Sequence, residues 1–296
     1  MAYAELSDLA TGNFVLEAYM DAIRLNFDAL AAGITPGGRL CGATADPKGD
    51  SASTATLYYS PDVHNAVKLY DGANWVFYQF SEISLSLSGL TTGTNYDIFL
   101  YSNSGTLTLE ATAWTDATTR ATAITRQDGT YVKSGSLTRL FLGTIRTSAT
   151  GQTIDSTGFR YIWNMYNRVT KEMIVTDTTD SWTYATNTWR SWNNNIANSM
   201  SMVRGLDENN VDVDFTGILA GGNGVIGLSA SGAGGDGIIA HTASSALTSI
   251  TTRFDDKVGL GYRVLYLSER ALSGTTTFYG DGANAMQAGA RGHVWC

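Results

Sequence analysis

Apolar residues follow two different rhythms along this chain, and the change between them sets the first expectation. From Phe14 to Leu30 the apolar positions Leu16, Met20, Ile23, Phe27 and Leu30 are spaced four, three, four and three apart. That is the stripe of an amphipathic helix in heptad register. Asn13 stands where a side-chain oxygen can cap the first turn, Glu17 brings negative charge to its positive end, and Gly33 followed by Pro36 and Gly37 ends it. The pattern predicts a helix over 14–30 inside an N-terminal anchor, 1–35. A helix of this length is marginal alone in water, so the stripe is expected to pack on the chain's own β-structure, on a second copy, or on another protein.

From Gly38 onward the texture changes to short strands punctuated by turns. Val67–Tyr70 and Trp75–Phe80 flank Asp71-Gly72; Tyr96–Tyr101 and Thr106–Glu110 flank Asn103-Ser-Gly105; Tyr131–Lys133 and Arg139–Ile145 flank Ser134-Gly-Ser136. Each reads as a hairpin. Further strands are expected at 160–166, 172–175, 182–184, 200–203, 211–215, 264–267 and 275–279, while 117–124 is compatible with a brief helix. The expected fold is mainly β: an N-terminal α-helix followed by antiparallel β-sandwich or jelly-roll-like domains, 36–168 and 169–296. No Pro-rich linker marks that boundary, and no fixed-period repeat suggests a β-helix or propeller.

Composition sharpens this picture. Hydrophobic residues make up 43% of the 296, enough for a packed core, but only 16% are charged, below the roughly 25% usual in globular domains. Thr, Ser, Asn and Gly must cover the surface, which suits strands and turns. The net charge is −8 and no Lys/Arg cluster exists, which argues against nucleic acid as a partner. No run approaches the ~18 apolar residues of a membrane span, and the N-terminus lacks the pattern of a secretory signal. Synthesis in a reducing cytoplasm without membrane insertion is expected. Cys41 and Cys296 have no metal-type spacing.

Candidate chemistry is sparse. His64, His241 and His293 are scattered, and no nucleophile elbow, zinc-hydrolase or P-loop pattern occurs. No catalytic residue, cofactor site or metal site is expected. Asp207, Glu208, Asp212 and Asp214 are the best cation candidates; Asp212 and Asp214 would share a strand face, but the spacing is not that of a calcium loop. The glycines between Gly217 and Gly237 read as flexible turns or a close approach between subunits. Trp182, Tyr184, Trp189 and Trp192, interleaved with Asn193-Asn-Asn195, are the densest aromatic patch. Such residues either fill a core or interface, or stack on a glycan.

Several consecutive blocks resemble a family of phage and prophage virion proteins of tail-fibre-like type. They include Leu57-Tyr-Tyr-Ser-Pro61, Val67-Lys-Leu-Tyr-Asp-Gly72, Tyr96-Asp-Ile-Phe-Leu-Tyr101, Arg139-Leu-Phe-Leu-Gly-Thr144, Trp163-Asn-Met-Tyr-Asn-Arg168, Thr275-Thr-Thr-Phe-Tyr-Gly-Asp281 and Gly292-His-Val-Trp295. Leu9-Ala-Thr-Gly12, leading into the helix, resembles the docking N-termini of phage appendages. The resemblance implies a virion component, a homo-oligomer with a trimer favoured, whose partners are itself and other virion proteins. The expectation that it is non-enzymatic rests instead on the missing catalytic patterns, and a host-surface glycan as partner on the aromatic patch. Head fibre, capsid decoration or adaptor are alternatives within that class. A polysaccharide-degrading spike would need two positioned carboxylates, and the sequence singles out no such pair.

Overall fold

The computed structural model describes Ile23 and residues 33–232, 238–242, 246–281 and 287–296. The predicted helix over 14–30 lies outside these residues, Ile23 apart, and with it the stripe Leu16, Met20, Phe27 and Leu30. What is described is mainly β and sandwich-like. Among the described residues all strand pairings are antiparallel except one, the parallel contact of Phe159–Arg160 with Ser199–Arg204. The strands among the described residues fall into a 14-stranded, a six-stranded, a three-stranded and a two-stranded sheet.

The hairpins expected from turn residues form. Ala66–Tyr70 pairs with Trp75–Gln79, Asn95–Asn103 with Thr106–Ala113, and Thr130–Lys133 with Ser136–Ala149. No helix forms at 117–124. There the Asp116 carboxylate accepts the backbone N–H groups of Thr118 and Thr119 at 2.7 and 2.8 Å, an Asx-type turn that competes with helix. Up to Gly232 the glycine run forms a turn only in part, at Gly221 and Gly222. Gly217 and Gly224 lie within strands, Val211–Ala220 and Asn223–Ser229, joined by the turn at Gly221 and Gly222. A Cβ on Gly217 would sit 2.7 Å from Ile226, and one on Gly224 2.5 Å from Leu219. The close approach is within the chain.

The 14-stranded sheet is continuous across residue 168, through the parallel contact above. The apolar clusters divide there instead. One is built from residues between Leu40 and Ile162, among them Leu57, Ile98, Leu100 and Ile145. The other is built from residues after 168: Val211, Val213 and Phe215 of the six-stranded sheet meet Met200, Met202, Leu265 and Leu267 of the large one. Alternation along Val211–Ala220 explains this face, since Val211, Val213 and Phe215 are buried and Asp212, Asp214 and Thr216 are not. A small third cluster, Phe99, Phe141, Trp163 and Val203, bridges the two halves.

Charged groups tie segments together. Arg160 meets Asp50 at 2.6 Å and Asp155 at 3.4 Å, while Lys171 meets Asp50 at 3.0 Å and Asp155 at 3.2 Å. The four close an alternating ring in which Arg160, Asp155 and Lys171 are buried. Arg160 also donates from Nε to the Glu172 carbonyl at 3.0 Å, and Lys171 donates to the Lys48 carbonyl at 2.7 Å. Burial raises the Asp155 pKa against the pull of Lys171 and Arg160. Arg39, also buried, donates to the carbonyls of Pro47 and Cys296, both at 3.0 Å, and to that of Asn167.

In the first half, Glu110 accepts from Lys133 and, at 2.7 Å, from Arg139. Burial pushes its carboxyl up, but these hydrogen bonds outweigh it and hold the pKa below the ordinary carboxylate value. The stabilisation is therefore present above that ordinary value and is lost as pH falls through the depressed one. Glu110→Gln is expected to flatten the acid limb of a melting-temperature profile; a superimposable limb would show that the clamp contributes nothing.

Candidate binding surfaces

The aromatic patch separates into distinct roles. Trp192 begins a short 3-10 turn, Trp192–Asn194, and is fully buried. It packs edge-on against Trp182 and Phe215, both at 5.0 Å, and Phe278 at 5.5 Å, and has no exposed face to offer a ligand. Trp182 is half-buried and donates from Nε1 to Glu269 at 2.8 Å. Glu269 is itself fully buried and accepts from Arg190 Nε at 2.6 Å. Burial raises the Glu269 pKa, opposed by its bonds to Trp182 and Arg190.

Tyr184 and Trp189 are partly exposed, and each ring is covered by a guanidinium, Arg190 at 3.9 Å and Arg270 at 4.7 Å. Such stacking is worth about 0.5–1 kcal/mol at exposed sites, and it occupies a ring face that a sugar would need. The asparagines nearby serve the turn. Asn193, at φ 53°, donates to Asp177 at 3.1 Å, and Asn198 does so at 2.6 Å.

The acidic strand reaches a different surface. Asp212 and Asp214 do share the outer face of the six-stranded sheet, where Asp212 lies opposite His293 and Asp255, and Asp214 opposite Arg291 and Arg253. Arg253 pairs with Asp212 at 2.6 Å and Arg291 with Glu172 at 3.2 Å. Thr176, Thr216, Gln287 and His293 complete an open groove of about 690 Å3 over Gly289. Glu208 is elsewhere, paired with Arg168 at 2.9 Å. Among the described residues no three His, Cys, Asp or Glu side chains come together as a metal site. His64 lies on another surface, its Nδ1 accepting the Ala66 N–H at 3.2 Å.

A further concavity, unsignalled in the sequence, opens at the seam of the two halves. It is a cleft of about 320 Å3 lined by Gly93, Arg146, Thr147, Ser148, Ile154, Phe159, Tyr161 and Tyr262. Phe159 is 45% exposed. Its ring stands edge-on to Tyr161 at 5.8 Å, and Tyr161 stands edge-on to Tyr262 at 5.9 Å. The Arg146 guanidinium lies 3.7 Å from the Tyr262 ring and donates to Asn95 Oδ1 at 2.9 Å.

No protein-family model matches the chain, and no curated protein matches it. Solved structures with some likeness include an exo-β-1,3-galactanase from Phanerochaete chrysosporium, at 11% identity and a TM-score of 0.19, covering 87% of this chain and 68% of that one. A carbohydrate-binding module of the β-sandwich superfamily shows 10% identity and a TM-score of 0.19, over 84% of this chain and 97% of that one. Likeness at this level carries no argument about what this chain does.

Proposed function

We propose that this chain is a non-enzymatic structural component of a bacteriophage particle, a tail-fibre or appendage protein that contributes to attachment. The ordered sequence blocks that resemble tail-fibre-like virion proteins are what point to a particle. The observation that supports a structural role is the use of buried charge. Asp50, Asp155, Arg160 and Lys171 form a closed ring across the two halves, and Asp97–Arg120 and Glu269–Arg190 join segments distant in sequence. A carboxylate paired in this way is a cross-link rather than a free acid or base.

In this reading the segment 1–35 docks or trimerises the chain through Leu16, Met20, Ile23, Phe27 and Leu30, and the β-halves, jelly-roll-like in topology, project from that anchor. The protein is made in the host cytoplasm and reaches the outside as part of the particle. Among the described residues no helix is long and apolar enough to cross a membrane.

The test is location. An antibody against residues 169–296, applied to intact particles and viewed by electron microscopy, is expected to label an appendage. Label on the head instead would favour a head-fibre, decoration or adaptor role. Particles that carry no label, and no such chain by mass spectrometry, would end the virion reading.

A further inference from the structure

We propose that the seam cleft binds a carboxylated sugar residue of the hexuronate type. The inference deepens the attachment role proposed above, on which its biological setting rests, but the binding itself is a property of the isolated chain.

The cation comes first. Arg146 is half-buried, and among the described residues no carboxylate lies within ion-pair distance of it. Arg120, Arg139, Arg160 and Arg190 each meet an Asp or Glu at 2.7 Å or less. The other cleft residues are neutral. A ligand carboxylate entering here meets a partly dehydrated guanidinium with no competing anion, where a charge-assisted hydrogen bond is stronger than in open water. The guanidinium is already oriented by Tyr262 and Asn95, so little ordering cost remains on binding.

The aromatic wall selects the body of the ligand. Phe159, Tyr161 and Tyr262 hold one another edge-on, so the exposed face of Phe159 is a preset flat surface. The C–H face of a pyranose suits such a surface, with Ser148 exposed at the rim for a sugar hydroxyl. A cleft of about 320 Å3 is at the small end for ligand sites and suits one or two sugar rings. A hexuronate combines a stackable ring with the carboxylate that Arg146 lacks.

Calorimetric titration of the full chain with digalacturonate, neutral digalactose and an acetylated dipeptide bearing a free carboxylate tests this. Digalacturonate is expected to bind at least about fivefold more tightly than digalactose, because only it reaches Arg146 as an ion pair. Arg146→Gln should weaken it about tenfold. Phe159→Ala, at an exposed position that leaves the core intact, should weaken it about fivefold through lost stacking. Melting curves confirm the fold of each variant. Equal affinity for the acidic and neutral sugars would overturn the proposal, as would no heat with digalacturonate or binding unchanged in both variants. Tighter binding of the dipeptide would overturn the assignment to a sugar. Absence of the chain from particles would sink the virion reading and leave these titrations as they stand.

Discussion

Trp192→Ala is expected to lower the unfolding free energy by about 3–5 kcal/mol. The indole is fully buried and meets three aromatic rings, Trp182, Phe215 and Phe278, all within 5.5 Å. These rings come from separate strands, so the void cannot close by moving one element. Its Nε1 has no hydrogen-bond partner among the described residues, so the loss is one of packing alone. At a few degrees per kcal/mol the melting temperature should fall on the order of 10 °C. Trp189→Ala is the control. Trp189 is partly exposed under Arg270, and its loss should cost about 1 kcal/mol. Urea denaturation followed by circular dichroism reads both. A Trp192→Ala loss no larger than that of Trp189→Ala would mean that the cluster around Phe215 is not the core of the second half.

Strands joined by tight turns were legible because their signal is local. Gly72, Gly105 and Gly135 each adopt positive φ, at 113°, 91° and 75°, and each stands between two β-rich runs. Long-range strands carried no such mark. Gly289–Trp295 pairs with Thr170–Thr176 and with Val211–Ala220, yet Gly-Ala-Arg-Gly-His-Val-Trp reads locally as a loop. Thr248–Asp256 is largely polar and lies along Val211–Ala220. Its sequence shows an exposed strand only once the partner is known. Glycine misled for a related reason: at Gly217 and Gly224 it answers a neighbour's bulk, Ile226 and Leu219, which only the tertiary fold supplies.

The same limit governed the candidate sites. Parity along a strand correctly put Asp212 and Asp214 on one face, but Arg253 and Arg291 arrive there from other strands. Density of aromatics found the 182–192 patch without saying which ring is inside. Burial of Trp192 depends on the turn that follows it, with Asn193 and Asn194 at positive φ, and on Asp177 holding that turn. The seam cleft was invisible because Arg146, Phe159 and Tyr262 come from three strands whose sequences do not anticipate one another.

Arg160→Met should be the most damaging change among the charged residues, at about 3–5 kcal/mol, because it strips a buried carboxylate of a counter-charge. Asp155 would keep Lys171 at 3.2 Å but lose the guanidinium, and the Glu172 carbonyl would lose its donor. The pH dependence identifies the cause. Burial already raises the Asp155 pKa in the intact protein, and removing a cation raises it further. A carboxyl with a raised folded-state pKa contributes stability below its unfolded value that is lost as pH rises through the folded one. The variant's deficit should therefore be largest near neutrality and shrink in mild acid, as Asp155 takes up a proton. Arg160→Met combined with Asp155→Leu should recover most of the loss at neutral pH, since apolar replacement of a whole buried pair is often neutral. Denaturation at both pH values decides the matter: a deficit independent of pH, and not relieved by the second substitution, would show that Arg160 acts through its backbone contacts and that the charge ring does not hold the two halves together.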